Sequence, residues 1–230
     1  MPPRRQLTAL CRQCYNQGRH MEIKWLGHSC FRIKGRAATI ITDPFSPDLG
    51  YSLGKVTADI VTVSHKHPGH NHAKGVGGSP RAVTGPGEYE ISEIIIIGIA
   101  AHHDDSGGTV RGKNTIYLME MDDVSICHLG DLGHVLTGEQ VEELGDVDIL
   151  LLPVGGLSTI DATMAAEVVR QLDPKVIIPM HYKTPALKRQ LQTVSKFLKE
   201  IGSGEVAPRA KLSIIKSNLP LTSQVVLLEY

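Results

Sequence analysis

The sequence predicts an α/β protein in which two β-sheets are covered on their outer sides by helices. Three observations carry that expectation. The first half of the chain is a run of short apolar segments divided by glycine- and aspartate-rich turns. After residue 136, strands alternate with amphipathic helical patterns. The segment "ADIVTVSH" is apolar almost throughout, as expected of a strand covered on both faces. Strands first and helix–strand alternation later fit two sheets with helices packed outside them.

Taken in order, "MEIKWLGHSCFRIK" (21–34) gives two short strands around a glycine turn, and "AATIITDP" gives a third that ends at Pro44. "ADIVTVSH", "RAVTG", "EIIIIGIA", "NTIYLMEM" and "VSICHLG" supply further strands. "TGEQVEELG" reads as a short helix and "DILLLPVGG" as a strand. "DATMAAEVVRQLD" reads as a helix with Met164, Ala165, Val168, Val169 and Leu172 on one face. "KVIIPMH" is a strand. "ALKRQLQTVSKFLKEIG" carries a stripe of Leu187, Leu191, Val194, Leu198 and Ile201 and reads as one continuous helix. "KLSIIKS" and "SQVVLLEY" close the chain as strands. Neither an internal repeat nor a low-complexity linker interrupts residues 21–230, which read as one domain.

Composition narrows the function. Of 230 residues, 41% are hydrophobic and 21% charged, a soluble globular profile with enough chain to bury a full core. Lysine plus arginine equals aspartate plus glutamate, 24 each, so no charge excess points to nucleic acid or a membrane surface. No apolar run reaches the roughly 18 residues a membrane span needs. Residues 1–20 carry four arginines and no acid and read as a disordered extension; the apolar part is too short for a secretory signal. Cys11 and Cys14 form a lone C-x-x-C without a second pair, a weak zinc or redox signal. Cys30 and Cys127 fall inside strands and read as reduced core residues of a cytoplasmic protein.

The chemistry concentrates in "TVSHKHPGHNH" (62–72), where His65, His67, His70 and His72 follow a buried strand. Loops at strand ends commonly carry function. Imidazoles two apart in a tight loop can face one point, as zinc ligation at about 2.0–2.1 Å requires. "AAHHDD" places His102, His103, Asp104 and Asp105 at another strand end; "CHLGDLGH" places His128, Asp131 and His134; "PMHY" places His181. Each alone could be a capped turn or a satisfied core histidine. Converging on one edge, they make a metal site the better reading. "GVGGSP" does not open a helix, and no G-x-S-x-G elbow is present, which removes the commonest nucleotide and serine-hydrolase signatures.

The ordered set H-x-H-x-x-H, a later histidine, G-D and P-x-H-Y resembles the metallo-β-lactamase superfamily. "IKWLGHSCFRI…IITDPF", "GPGEYEI" and "RGKNTIY…HLGDLGH" are similar to its L-ascorbate-6-phosphate lactonase-like branch of Zn-dependent hydrolases. The resemblance implies a four-layer αββα sandwich of two mixed β-sheets flanked by helices, with the site at the edge between the sheets. It implies a first metal on His65, His67 and His103, and a second on His70 and His181, with Asp131 bridging. It also implies that Asp43 supports the histidine loop as a carboxylate partner of an imidazole.

One position departs from the family's H-x-H-x-D-H pattern. Gly69 stands where an aspartate would ligate the second metal, so the expectation is one tight metal per chain and a weak second site. Asp104, His72 or a water could stand in for the lost ligand. The implied cofactor is Zn²⁺, with Mn²⁺ or Fe²⁺ as alternatives. The implied reaction is hydrolysis of a small-molecule ester, lactone, amide or phosphodiester by a metal-activated water. Arg111 and Lys113, in "VRGKN", could meet an anionic substrate group, although a solvated basic hairpin is the simpler reading. The alternative function is a non-catalytic sensor or binding module on the same fold, favoured by Gly69. The sequence leaves a homo-oligomer open.

Overall fold

The computed structural model describes residues 20–230. The expectations for the extension, with Cys11 and Cys14, fall on residues 1–19 and lie outside the described residues. Thirteen strands form two mixed sheets. The first contains β1 (Met21–Gly27), β2 (Cys30–Lys34), β3 (Thr39–Thr42), β4 (Ile60–Val63), β5 (Arg81–Thr84) and β12 (Leu212–Ile214), in the order β12-β1-β2-β3-β4-β5. The second contains β6 (Gly87–Ile91), β7 (Ile94–His102), β8 (Lys113–Met121), β9 (Val124–His128), β10 (Ile149–Pro153), β11 (Val176–Met180) and β13 (Gln224–Val225), in the order β13-β11-β10-β9-β8-β7-β6.

The side-chain alternation of strands explains how the layers form. In the first sheet Ile23, Phe31, Ile33, Ile40 and Ile60 join the core shared with the second sheet. Their neighbours Ile41, Val61 and Val63 point the other way, into a smaller cluster with Phe45, Leu49, Tyr51, Val76 and Leu187. β4 is therefore buried on both faces, as its unbroken apolar run predicts. Three helices, α1 (Gly138–Leu144), α2 (Ala162–Leu172) and α3 (Val194–Glu200), contribute Leu144, Ala165, Val168, Leu172, Phe197 and Leu198 to the main core. Short 3₁₀ turns at 47–49 and 73–75 and the segment 184–191 cover the smaller cluster. The architecture is the expected sandwich of two mixed sheets flanked by helical elements. Among the described residues no helix is long and apolar enough to cross a membrane.

Three expectations need correction. The helix read over 186–202 exists only as α3. In the stretch before it, the backbone amides bond elsewhere: Lys188 N donates to Leu49 O and Gln192 N to Gly155 O. Leu187 accordingly sinks into the smaller cluster rather than joining α3's face. "SQVVLLEY" pairs as a strand over two residues only, with one further bridge at Leu228. "GEYEI", not singled out as a strand, is β6, paired with β7 through a turn at Ser92 and Glu93 with φ of 52° and 63°. Cys30 and Cys127 are buried free thiols, as expected.

The topology fixes where the site lies. In the first sheet β1, β3 and β4 run in one direction, because β2 is antiparallel to both β1 and β3 while β4 is parallel to β3. In the second, β7, β9, β10 and β11 share a direction. The loops that follow these strands meet where the two sheets are stitched together. Thr115 N donates to Ser64 O at 2.9 Å and His181 N to His28 O at 3.1 Å. The Tyr117 hydroxyl, from β8, donates to Val63 O at 2.9 Å.

Candidate metal centre

Six histidines and two aspartates come to this seam from six strand ends. His28 follows β1, Asp43 follows β3, and His65, His67 and His70 follow β4. His103 follows β7, Asp131 follows β9 and His181 follows β11. Asp131 is the hub. Its Oδ2 lies 3.1 Å from His70 Nε2, 3.3 Å from both His103 Nε2 and His181 Nε2, and 3.9 Å from His65 Nε2. Donor atoms bound about 2.0–2.2 Å from one tetrahedral ion sit roughly 3.3–3.6 Å from each other. The spacing therefore suits ligands of a shared metal. Three sets of donors lie within 4.8 Å of one another: His65, His103 and Asp131; His65, His67 and His70; and His28, His70 and His181.

Hydrogen bonding points the free nitrogens inward. Asp43 is fully buried and takes Ser64 N–H at 2.7 Å, Ser64 Oγ–H at 2.5 Å and His70 Nδ1–H at 2.9 Å. Ser64 Oγ, its own proton given to Asp43, accepts from His65 Nδ1–H at 2.9 Å. One carboxylate thus orients two imidazoles, leaving Nε2 of each to face the hub. Burial opposes the Asp43 charge, but the His70 hydrogen bond and the surrounding histidines outweigh it and keep its pKa below the ordinary value.

The Gly130–Asp131 turn is equally constrained. Gly130 has φ 58°, and a Cβ there would strike Asn114 Oδ1 and Ser64. Asn114 meanwhile accepts Asp131 N–H at 3.0 Å and donates to Leu129 O at 2.9 Å. The glycine of "GD" is needed for both conformation and clearance.

The electrostatics are those of a cation site. Burial pushes the Asp131 carboxyl up, but His181, His70 and His103 around it hold it well below the carboxylate range. Burial lowers His65 to about 3 and drives His28 well down, so both are neutral imidazoles. Burial would lower His70 too, yet Asp131 and Asp43 on its two sides raise it to about 10. His70 Nε2, although 3.1 Å from Asp131, lacks hydrogen-bond geometry. Among the described residues twelve buried side-chain N and O atoms have no hydrogen-bond partner, and seven belong to this cluster: both nitrogens of His28, His65 Nε2, His70 Nε2, His103 Nδ1, Asp131 Oδ1 and His181 Nδ1. Such groups are rare in native interiors and call for an explanation. A metal supplies one for the atoms that face the hub, His65 Nε2, His70 Nε2, Asp131 Oδ1 and one nitrogen of His28. His28, Asp43 and His181 also have positive φ, 53°, 38° and 51°, the backbone strain that clusters at functional sites.

The sequence-predicted residues divide clearly. His65, His67, His70, His103, Asp131 and His181 come together, with Asp43 behind them. His102 does not join. Its backbone N–H bonds to His134 Nε2 at 3.2 Å, and the His134 Nδ1–H to Val135 O at 2.8 Å. His128 is a satisfied core residue, donating to Ser29 O at 2.8 Å and accepting from Gly130 N.

Neither side chain named as a stand-in for the missing aspartate is placed to serve. Both Asp104 oxygens accept backbone N–H groups, of Ser106 and Gly108 and of Val110 and Arg111, which with the Arg111 amide foremost hold its pKa at about 2. His72 stands at the N-cap position of the 3₁₀ turn at 73–75, with no side-chain cap, and its ring lies over Gly75. The Arg111 guanidinium bonds to Leu157 O, and Lys113 begins β8 opposite His102. Tyr182 packs its ring on Trp25, centroids 5.1 Å apart. His28 is the member that sequence reasoning did not select. Its only local cue is a histidine in the tight turn "GHS" between two apolar strands.

Two mixed sheets that meet along a seam of histidines define the metallo-β-lactamase fold, and the seam defines a metal-dependent hydrolase. More particularly, residues 22–181 match the β-lactamase superfamily domain, and the chain belongs to that family. It is 43% identical to a Thermotoga maritima protein assigned as a Zn-dependent hydrolase of the metallo-β-lactamase superfamily, covering 91% of this chain and 98% of that one with a TM-score of 0.76. It is 29% identical to a UPF0173 metal-dependent hydrolase of Methanoculleus marisnigri, over 81% of this chain and 92% of the relative. It is 30% identical to another from Thermococcus onnurineus, over 71% and 85%.

Proposed function

We propose that residues 21–230 act as one zinc-dependent hydrolase domain, cytoplasmic, working on a small-molecule ester or lactone that carries an anionic group. The observation that carries this reading is the convergence of four histidine Nε2 atoms on one Asp131 oxygen. His65, His67 and His103 would hold the first ion, and His70 and His181 the second, with Asp131 shared. Imidazole-rich sets suit Zn²⁺ better than Mn²⁺, and the shortage of carboxylates makes the second position the weaker. When bound, the ion supplies a Lewis acid and acidifies a water toward a pKa of about 7.

The chain's own residues do the rest. Asp43, directly and through Ser64, fixes the tautomers of His70 and His65 so that neither ring turns. Asp104 ties its loop to four amides and so holds His103 in place beside it. Arg111 stands on that same loop and Lys113 where it enters β8, so an anionic substrate group there would meet positive charge. The resemblance to the ascorbate-6-phosphate lactonase-like branch supports a sugar-acid lactone as the first compound to try.

The test is elemental analysis of protein purified without chelator, paired with hydrolysis assays on lactones, carboxylic esters and phosphodiesters. We expect zinc at one equivalent or more, and lactone or ester turnover that chelation abolishes and zinc restores. Protein that binds no metal, or turnover that persists after chelation, would overturn the assignment.

A further inference from the structure

We propose that His28 is a direct ligand of the second metal position, completing it with His70, His181 and Asp131 beside Gly69. The inference rests on the metal-centre reading above. His28 is 1% exposed, and neither of its ring nitrogens has a hydrogen-bond partner. A buried neutral imidazole that served only to fill space would bury a donor and an acceptor unpaired, which interiors avoid. The contrast is His128, equally buried, whose two nitrogens are both satisfied.

The ring of His28 sits 4.2 Å from that of His181 and 4.9 Å from that of His70, centroid to centroid, and the three offer nitrogens within 4.8 Å of one another. Its placement is fixed from behind. Trp25 Nε1–H and His181 N–H both donate to its carbonyl, at 2.9 and 3.1 Å, and its backbone is held at φ 53°. A turn strained and pinned in this way fixes the backbone that carries the imidazole, and burial holds the ring itself. Gly69 completes the argument. Its backbone is buried and not in the left-handed region, so conformation alone does not call for glycine. A Cβ there would come within 3.2 Å of His28 Nε2 and 3.4 Å of its Cδ2, tight enough that the ring would have to move. A side chain at 69 would press on the His28 ring, which would have to give by a few tenths of an ångström. With no carboxylate at 69, the second position becomes three imidazoles and one shared carboxylate. That donor set favours Zn²⁺ or Co²⁺ over Mn²⁺ and Mg²⁺.

The test uses the full chain and Zn²⁺, Co²⁺ or Mn²⁺ alone as probes. Stoichiometry comes from elemental analysis, affinities from competition with a chromophoric chelator, and ligand environment from the Co²⁺ d–d absorption bands. Wild type should take up two Zn²⁺, the second more weakly, and should discriminate against Mn²⁺ at that position. His28→Phe keeps a ring of similar size and loses no hydrogen bond, so the chelated variant should unfold at the same denaturant concentration as wild type or a higher one. Its second Zn²⁺ should bind at least about a hundredfold more weakly, since even an outer partner of a ligand is worth 10- to 100-fold, while the first is unchanged. His28→Asn, whose side chain tolerates positive φ, should give the same loss if the phenylalanine variant does not fold. Gly69→Asp in the His28→Asn background, where the smaller side chain leaves room at 69, should recover second-site binding, whereas Gly69→Asp alone should add little. Two Zn²⁺ bound with unchanged affinities and an unchanged Co²⁺ spectrum in both His28 variants would refute the role of His28 and leave the hydrolase reading standing. A wild type that binds no metal would overturn both.

Discussion

Replacing Asp43 by asparagine isolates the carboxylate that organises the histidine loop. The shape is conserved, and asparagine tolerates the φ of 38° at this position as well as aspartate does. The carboxylate accepts three hydrogen bonds, from Ser64 N, Ser64 Oγ and His70 Nδ1. The amide has one acceptor atom. If its oxygen faces His70 and the Ser64 hydroxyl, its NH₂ faces the Ser64 amide; turned over, it confronts the His70 and Ser64 donors instead. At least one buried donor is left unpaired in either orientation, at about 1–3 kcal/mol. The remaining bonds lose an ionised acceptor and roughly half their strength. Together we expect a loss of about 2–4 kcal/mol in the chelated protein, a large share of the roughly 5–15 kcal/mol typical of a domain. With His70 and His65 no longer held in their tautomers, zinc affinity should fall about 10- to 100-fold. Urea unfolding in chelator and zinc competition titrations measure the two effects separately. A stability change below about 0.5 kcal/mol together with zinc binding within twofold of wild type would refute the view that Asp43 orients the ligands.

Gly130→Ala puts a Cβ against Asn114 and Ser64 at a residue with φ 58°, so it should either unfold the protein or displace Asp131 and strip bound zinc; full metal content in a folded variant would contradict this. His128 provides a pH prediction away from the proposed ligands. Burial, only partly opposed by Asp43 and the Ser29 carbonyl, keeps its folded pKa below the unfolded value near 6.5. The unfolded chain therefore takes up the proton first as pH falls. Stability is full above about pH 6.5 and declines below it, by up to roughly 1.4 kcal/mol per pH unit, until the folded pKa is reached. His128→Gln, which keeps a donor for Ser29 O, should flatten that slope in urea titrations between pH 7.5 and 5.5; an identical slope would show that His128 does not contribute to it.

Most of the fold is legible because each strand carries its own signal. β4 and β11 are apolar runs buried on both faces, and α2 has a single apolar stripe with Asp161 capping its N-terminus through Met164 N. Where reading failed, nonlocal contacts overrode local pattern. The Leu187 and Leu191 spacing suits a helix, yet those residues serve a cluster beneath the first sheet that only the folded chain assembles. β6 escaped notice because its hairpin turn uses Ser92 and Glu93 at positive φ instead of the Asn-Gly or Asp-Gly pairs that announce such a turn.

The site shows the same division more sharply. His65, His67, His70, His103, Asp131 and His181 are conspicuous because each stands at the end of an apolar strand, so strand prediction alone brings them to sheet edges. The glycine at 69 is conspicuous too, but as a subtraction: sequence shows that a carboxylate is missing and nothing about what fills its place. The candidates that the sequence offers, His72 and Asp104, fail because their rings or oxygens face their own loops. The residue that does reach the spot arrives from the β1–β2 turn, at the far side of the first sheet's strand order from β5 and across the seam from His181. Parallel β3 and β4, with β1 running the same way, are what bring that turn beside the histidine loop. A side-chain ligand lost from a local motif can thus be replaced from another strand end on the same edge, and the search for it belongs to the sheet topology rather than to the motif.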